Sequence, residues 1–294
     1  MSSRRDSAPL LRAVGVAAVL CGALLLAGVV FPGLLARHVV PIFLYLPGPA
    51  GTVSGDPVDH GLSSGEDVVL TTSDGVRIRA WWVPASADAS CGAAVYFHGN
   101  AGSLAGRAFI ARRLAASGFD VFLVEYRGYG RSEGRPHEKG LYRDASAALR
   151  HVLEERGTPP ARVVVAGHSL GSAVAAHLAS RERVGAAVLT RAFPSVPKLA
   201  ARIYGWLPDA LFRGWPTQRF ETERWAREIA APVLVARGEA DRLVPRDQSR
   251  RVHQAAGPGA AWLEVPGAGH DDLWVADTFW ARLVPFLEGS LACR

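Results

Sequence analysis

The sequence predicts an α/β fold: a mostly parallel sheet with an inserted helical cap, preceded by one transmembrane helix. Three observations carry this expectation. From about residue 93 onward, short unbroken apolar runs alternate with longer stretches of helical periodicity, the pattern of strands buried on both faces and linked by helices. That rhythm breaks once, between residues 191 and 228. Upstream, residues 13–31 carry neither charge nor proline. With 49% hydrophobic and 20% charged residues the 294-residue chain can fill one large core, which excludes disorder, collagen and coiled coil.

The elements follow in order. Residues 13–31 number 19, enough to span a hydrocarbon core of roughly 30 Å as a helix. Arg4, Arg5 and Arg12 precede them against a single Asp6, which predicts a cytoplasmic N-terminus (residues 1–12), a single-pass anchor, and the body of the protein on the extracytoplasmic side. A cleaved signal peptide is the alternative, although residues 32–37 offer no A-x-A site. Residues 38–49, apolar but broken by three prolines, are expected on the membrane surface or against the domain. The Gly, Ser, Asp and Pro of 50–65 read as a linker, so 32–65 forms a membrane-proximal segment and the folded domain is expected over 66–294. Runs 68–72 and 76–83 flank Ser73-Asp74-Gly75 as a hairpin. Strands are then predicted at 93–97, 121–125, 162–166, 186–190, 233–236 and 261–265, and helices at 104–117, 138–156, 170–181, 246–256 and 278–287.

Several function classes drop out. Of the 33 basic residues only Lys139 and Lys198 are lysine, and the arginines are scattered, so the basic stripe of a nucleic-acid binder is missing despite a net charge of +6. Gly128, Gly130 and Gly134 are spaced G-x-G-x-x-x-G, which is not the dinucleotide fingerprint. Cys21, Cys91 and Cys293 form no Cys/His cluster of zinc spacing, so no structural metal is expected. Cys91 and Cys293 are candidates to pair if the domain faces an oxidising compartment.

The sharpest motif is Gly167-His168-Ser169-Leu170-Gly171, placed between a predicted strand and a predicted helix. A nucleophile on so tight a turn needs glycine two residues to either side for the backbones to pass, and the helix N-terminus aims N–H groups at a developing oxyanion. A serine hydroxyl needs a base, and the base an orienting acid. Of the downstream histidines, His177 and His253 fall within helices, whereas His270 sits in the loop Pro266-Gly267-Ala268-Gly269-His270-Asp271-Asp272 and is the expected base. Asp241, after the strand 233–236, is the expected acid, with Glu239 its nearest rival and Asp271 and Asp272 adjoining the base. The oxyanion donors are expected to be the backbone N–H groups of Leu170 and, in the loop His98-Gly99-Asn100-Ala101, of Asn100, with Ala101 the alternative.

The run of HGNAG, EYRGYGRSEG, GHSLG, GEADRLVP and GAGHDDL over about residues 66–290 resembles the α/β-hydrolase superfamily. Within it, the chain is similar to a membrane-anchored branch near serine-aminopeptidase-like and acyl-protein-thioesterase-like "α/β-hydrolase domain-containing" proteins. The resemblance implies an eight-stranded sheet, a Ser-His-Asp triad, and cofactor-free hydrolysis of an ester, thioester or amide. Glu125 departs from the aspartate that relatives often carry before the R-G-x-G-x-S loop. The interruption at 191–228 falls where such proteins build a cap. Its aromatics Phe193, Tyr204, Trp206, Phe212 and Trp215 would line an acyl pocket or form the core of a lid. With the anchor, this favours a lipid-like or acylated substrate. Two alternatives stay open on the same residues: a non-catalytic membrane-tethered binding protein, and an acyltransferase using the same triad.

Overall fold

The computed structural model describes residues 34, 38–47, 55–87, 90–206 and 217–293. The apolar stretch 13–31 and residues 207–216 of the predicted cap lie outside the described residues. No helix among the described residues is long and apolar enough to cross a membrane.

Eight strands form one sheet in the order β1-β2-β4-β3-β5-β6-β7-β8. β1 (Glu66–Thr71) and β2 (Arg77–Val83) are the antiparallel hairpin, in register at Leu70↔Ile78. Its turn is closed by the Thr72 N–H to the Val76 carbonyl at 3.0 Å and by the Thr72 hydroxyl donating to Asp74 at 2.7 Å. β2 pairs antiparallel with β4 (Asp120–Glu125). From β4 through β3 (Ala93–Phe97), β5 (Val163–His168), β6 (Ala186–Thr190), β7 (Val233–Gly238) and β8 (Ala261–Val265) every pairing is parallel. β3, β5 and β6 are buried at every position, which is why they read as unbroken apolar runs without alternation.

Helices cover both faces. One face carries α3 (Glu138–Glu154), α4 (Leu170–Arg181), α6 (Thr222–Ala226) and α7 (Arg246–Ala255); the other carries α2 (Ala108–Ala116) and α8 (Asp277–Leu291). Helix α4 is buried nearly all round because it lies between the sheet and its flanking helices, so its sequence is small and apolar rather than amphipathic. Two short helices complete the set of described helices, α1 (Val40–Leu44) and α5 (Val196–Ile203), the latter capped by the Ser195 hydroxyl accepting from the Lys198 N–H.

Three differences from the sequence expectation have physical causes. β5 continues two residues past Ala166, because Gly167 pairs with Phe97 on one side and Leu189 on the other, and two ladders outweigh the low strand propensity of glycine. The helix expected from 104 opens as a 3-10 turn over Ala105–Arg107 before α2 begins. Packing also reaches upstream of Glu66: Leu62 is buried, His60 stacks on Trp81 with ring centres 5.3 Å apart, and Tyr45 is buried in the core. At the far end, Cys91 before β3 and Cys293 after α8 join as a disulfide with Cα atoms 5.5 Å apart.

Because β4 and β5 leave β3 on opposite sides, the chain reverses direction there, and the loops after β3 and β5 meet at one carboxyl edge.

Candidate active site

Ser169 sits between β5 and α4 with φ 53° and ψ −114°, a left-handed conformation that costs a non-glycine residue of order 1–3 kcal/mol. The flanking glycines make it possible. A Cβ at Gly167 would stand 2.0 Å from the Gly171 carbonyl oxygen, and one at Gly171 would stand 2.1 Å from that of Phe97. The turn is held by the Ser169 N–H to the Thr190 carbonyl at 2.9 Å and by the Ser172 hydroxyl to the Ser169 carbonyl at 2.6 Å. Leu170 is the first residue of α4, so its N–H points out of the helix N-terminus.

The loops after β7 and β8 come together. His270 Nδ1 lies 2.9 Å and 3.0 Å from the two carboxylate oxygens of Asp241. Asp241 Oδ1 also accepts from the N–H groups of Leu243 and Val244, at 2.9 Å each. Burial works to raise the Asp241 carboxyl, but the bonds from His270 and Val244, with the charge of nearby Arg191, outweigh it and hold Asp241 below the ordinary carboxylate range. A carboxylate that only accepts requires His270 to carry its proton on Nδ1, leaving Nε2 as the basic nitrogen. The His270 ring is 5.5 Å from that of His168, the residue before Ser169.

Asp241's rivals sit elsewhere in the same loops. Glu239 accepts from the Gly267 N–H at 3.1 Å and braces the acid loop to the histidine loop. Asp271 and Asp272 are exposed, and Asp272 faces Arg191 at 3.5 Å. His177 stacks flat on Tyr142, ring centres 3.8 Å apart, and His253 Nε2 lies 3.0 Å from the Ala260 carbonyl, so both serve packing.

The loop after β3 brings Asn100 beside the elbow, where it lines one cavity with Ser169 and Leu170. Its carbonyl is fixed by the Leu46 N–H and the Tyr129 hydroxyl, each at 2.8 Å. The preceding peptide is fixed by His98, whose Nδ1 donates to the Gly99 carbonyl at 2.7 Å. Burial pushes His98 down to about 3, helped by Arg107 and opposed by that carbonyl, so the ring is neutral. Ala101 instead pairs with Leu46 as an isolated parallel bridge. Glu125, the departure noted in the sequence, is buried at the end of β4 and gathers loop N–H groups, from Leu104 at 3.3 Å and Arg131 at 3.2 Å.

Two features had no signal in the sequence. Arg191, at φ 54°, is fully buried 3.9 Å from Asp241, and none of its three nitrogens has a hydrogen-bond acceptor among the described residues. The second is the cavity, of about 420 Å³, whose walls among the described residues come from α1, α5 and the Leu243-Val244 turn and include no charged side chain. That volume falls within the roughly 300–1,000 Å³ of small-molecule sites.

Comparison with known proteins agrees with this architecture. A family model described as alpha/beta hydrolase fold matches residues 94–224. An uncharacterized protein of Mycobacterium tuberculosis is 38% identical over 231 residues, covering 78% of this chain and 79% of that protein. The alpha/beta hydrolase domain-containing protein WAV2 of Arabidopsis thaliana is 31% identical over 242 residues, covering 76% and 78%. Among solved structures, an alpha-beta hydrolase from Vibrio vulnificus superposes with a TM-score of 0.68 at 20% identity, covering 86% of this chain and 92% of that one. The Pyrococcus furiosus esterase Pf2001 superposes with a TM-score of 0.65 at 23% identity, covering 80% and 95%. At such identities these two speak for the fold alone; the family model and the sequence relatives show that the chain belongs to the alpha/beta-hydrolase superfamily, in the branch of the alpha/beta hydrolase domain-containing proteins.

Proposed function

We propose that the protein is a serine hydrolase that cleaves an ester, thioester or amide through an acyl-enzyme, on a lipid-like or acylated substrate. The observation that carries this reading is the His270–Asp241 pair, held at 2.9 Å beside an elbow that puts Ser169 at the head of a helix. Ser169 Oγ attacks the carbonyl carbon and His270 Nε2 takes the hydroxyl proton. The developing oxyanion accepts from the N–H groups of Asn100 and Leu170. The bond to the leaving group breaks as His270 returns the proton to it, leaving the acyl group on Ser169. Water, deprotonated by the same histidine, then attacks, and the acid departs. Asp241 keeps the imidazole in one tautomer and stabilises its charged form. No cofactor takes part in these steps.

The proposal extends to placement: residues 13–31 anchor the chain with residues 1–12 in the cytoplasm and the catalytic domain on the extracytoplasmic side. The Cys91–Cys293 pairing suits that side, since disulfides persist in oxidising compartments.

Ser169→Ala tests the nucleophile. We expect kcat on a p-nitrophenyl ester to fall by about 10⁴-fold or more, with the circular-dichroism spectrum unchanged. Retained turnover in the folded variant overturns the assignment.

A further inference from the structure

Residues 38–47 follow a fixed path into the site. Val39, Val40, Phe43 and Leu44 form one wall of the cavity over Ser169, facing Val196, Leu199 and Ile203 of α5. Two polar ties hold that wall. The Leu46 N–H donates to the Asn100 carbonyl at 2.8 Å, fastening the segment to the loop that carries the oxyanion donor. The Tyr45 hydroxyl, buried, donates to Gln218 Oε1 where the chain returns from the cap, and the Tyr45 ring meets Phe220 edge-on at 6.4 Å. A mere tether needs neither bond.

The cavity opens through an apolar rim. Trp206 is 80% exposed and Phe43 73%, Ile203, Tyr204 and Leu243 are exposed beside the same opening, and Ile42, next to Phe43 in the chain, is exposed as well. Grouped apolar exposure of this kind marks an interaction surface, and Trp and Tyr among it suit the boundary between water and lipid. The position of the rim along the chain identifies its partner. The uncharged stretch 13–31 ends nine residues before Val40, and nine residues reach at most about 30 Å, so a bilayer holding that stretch lies within reach of the opening.

We propose that residues 39–46 and α5 together form an acyl-chain pocket that opens onto a lipid bilayer, so that the substrate is a fatty acyl ester of a membrane lipid. The inference rests on Ser169 as nucleophile and adds the substrate class and the part played by the N-terminal segment. The chain passes from the bilayer into the pocket, which places the ester carbonyl at Ser169. The ester C–O bond is cleaved, the lipid remainder leaves with the proton from His270, and water releases the fatty acid. Each added methylene buries further apolar surface against these walls, whereas a polar acyl group would lose its hydrogen bonds to water there without replacement.

The test uses the full chain reconstituted in phosphatidylcholine vesicles, with p-nitrophenyl esters from acetyl to hexadecanoyl. The wild-type kcat/KM is expected to rise with chain length. Val40→Trp, which fills the wall, should lower the ratio of dodecanoyl to acetyl kcat/KM by about tenfold or more. Ile42→Asp, a change at the exposed position next to Phe43 of the rim, should lower turnover of vesicle-borne dodecanoyl ester relative to dissolved butyryl ester. Labelling of Ser169 by a fluorophosphonate reports an intact elbow in each protein. Wild-type preference for the acetyl ester overturns the pocket, and labelled variants with wild-type ratios overturn the role of residues 39–46. Absence of labelling in the wild type is distinguishable from both, because it removes the serine-hydrolase reading itself.

Discussion

Three imidazoles gather at the proposed site, and only one is placed to change charge during turnover. Burial pushes His98 down to about 3, and burial with the Arg191 charge pushes His168 well below the ordinary histidine range. His98 therefore stays neutral from pH 5 to 8, His168 is held toward its neutral form, and Asp241 stays ionised. His270 alone has its Nδ1 tied to a carboxylate, which leaves Nε2 to act as the base. His98 should contribute no ionisation to kcat/KM between pH 5 and 8, so His98→Gln should leave the shape of the pH profile unchanged, and a profile that loses a limb in that variant would contradict its neutrality. The turn at Ser169 and the loops that bring Asp241 and His270 into contact were legible because each lies in a short motif next to a readable strand end. Arg191 was not. Its burial depends on carboxylates delivered by two later loops, and nothing in Thr190-Arg191-Ala192-Phe193 announces their arrival.

Between elements, the hairpin and α3 are joined through one buried cation. Arg127, 2% exposed, lies 2.8 Å from Asp74 in the β1–β2 turn and 2.8 Å from Asp144 on α3, and its N–H also donates to Asp144 at 2.9 Å. Removing one charge from such a set strands the other. Asp144→Asn is expected to cost about 3 kcal/mol in urea unfolding, whereas the same exchange at exposed Asp59 should cost little. A loss below about 1 kcal/mol for Asp144→Asn would show that Asp74 alone satisfies the cation. The strands were readable because parallel strands buried on both faces leave unbroken apolar runs. The wall made by α1 was not readable. A five-residue helix has too few positions for a periodicity, and the partners of Tyr45 and Leu46 just after it, Gln218 and Asn100, lie far away in sequence.

For the whole molecule, the disulfide ties the C-terminus to the strand at the centre of the sheet across 202 residues. Cross-links that close long loops chiefly constrain the unfolded chain. Cys293→Ser should therefore lower unfolding free energy by about 2–5 kcal/mol without reductant, and dithiothreitol should bring wild type and variant together. The denatured, unreduced full chain should show a single free thiol, Cys21; three free thiols would contradict the pairing. Eight strands and two helical layers follow from alternation that any reading of residues 66–291 finds, while the upstream packing of Tyr45 and Leu62 hides in a stretch rich in turn residues. The central claim is that Ser169 is an activated nucleophile, and its most direct test is a fluorophosphonate probe on the full chain, with the adduct located by peptide mass. The account predicts one adduct, on Ser169, blocked by prior phenylmethylsulfonyl fluoride and lost in His270→Ala. A folded protein that takes no adduct, or takes it on another residue, would contradict it.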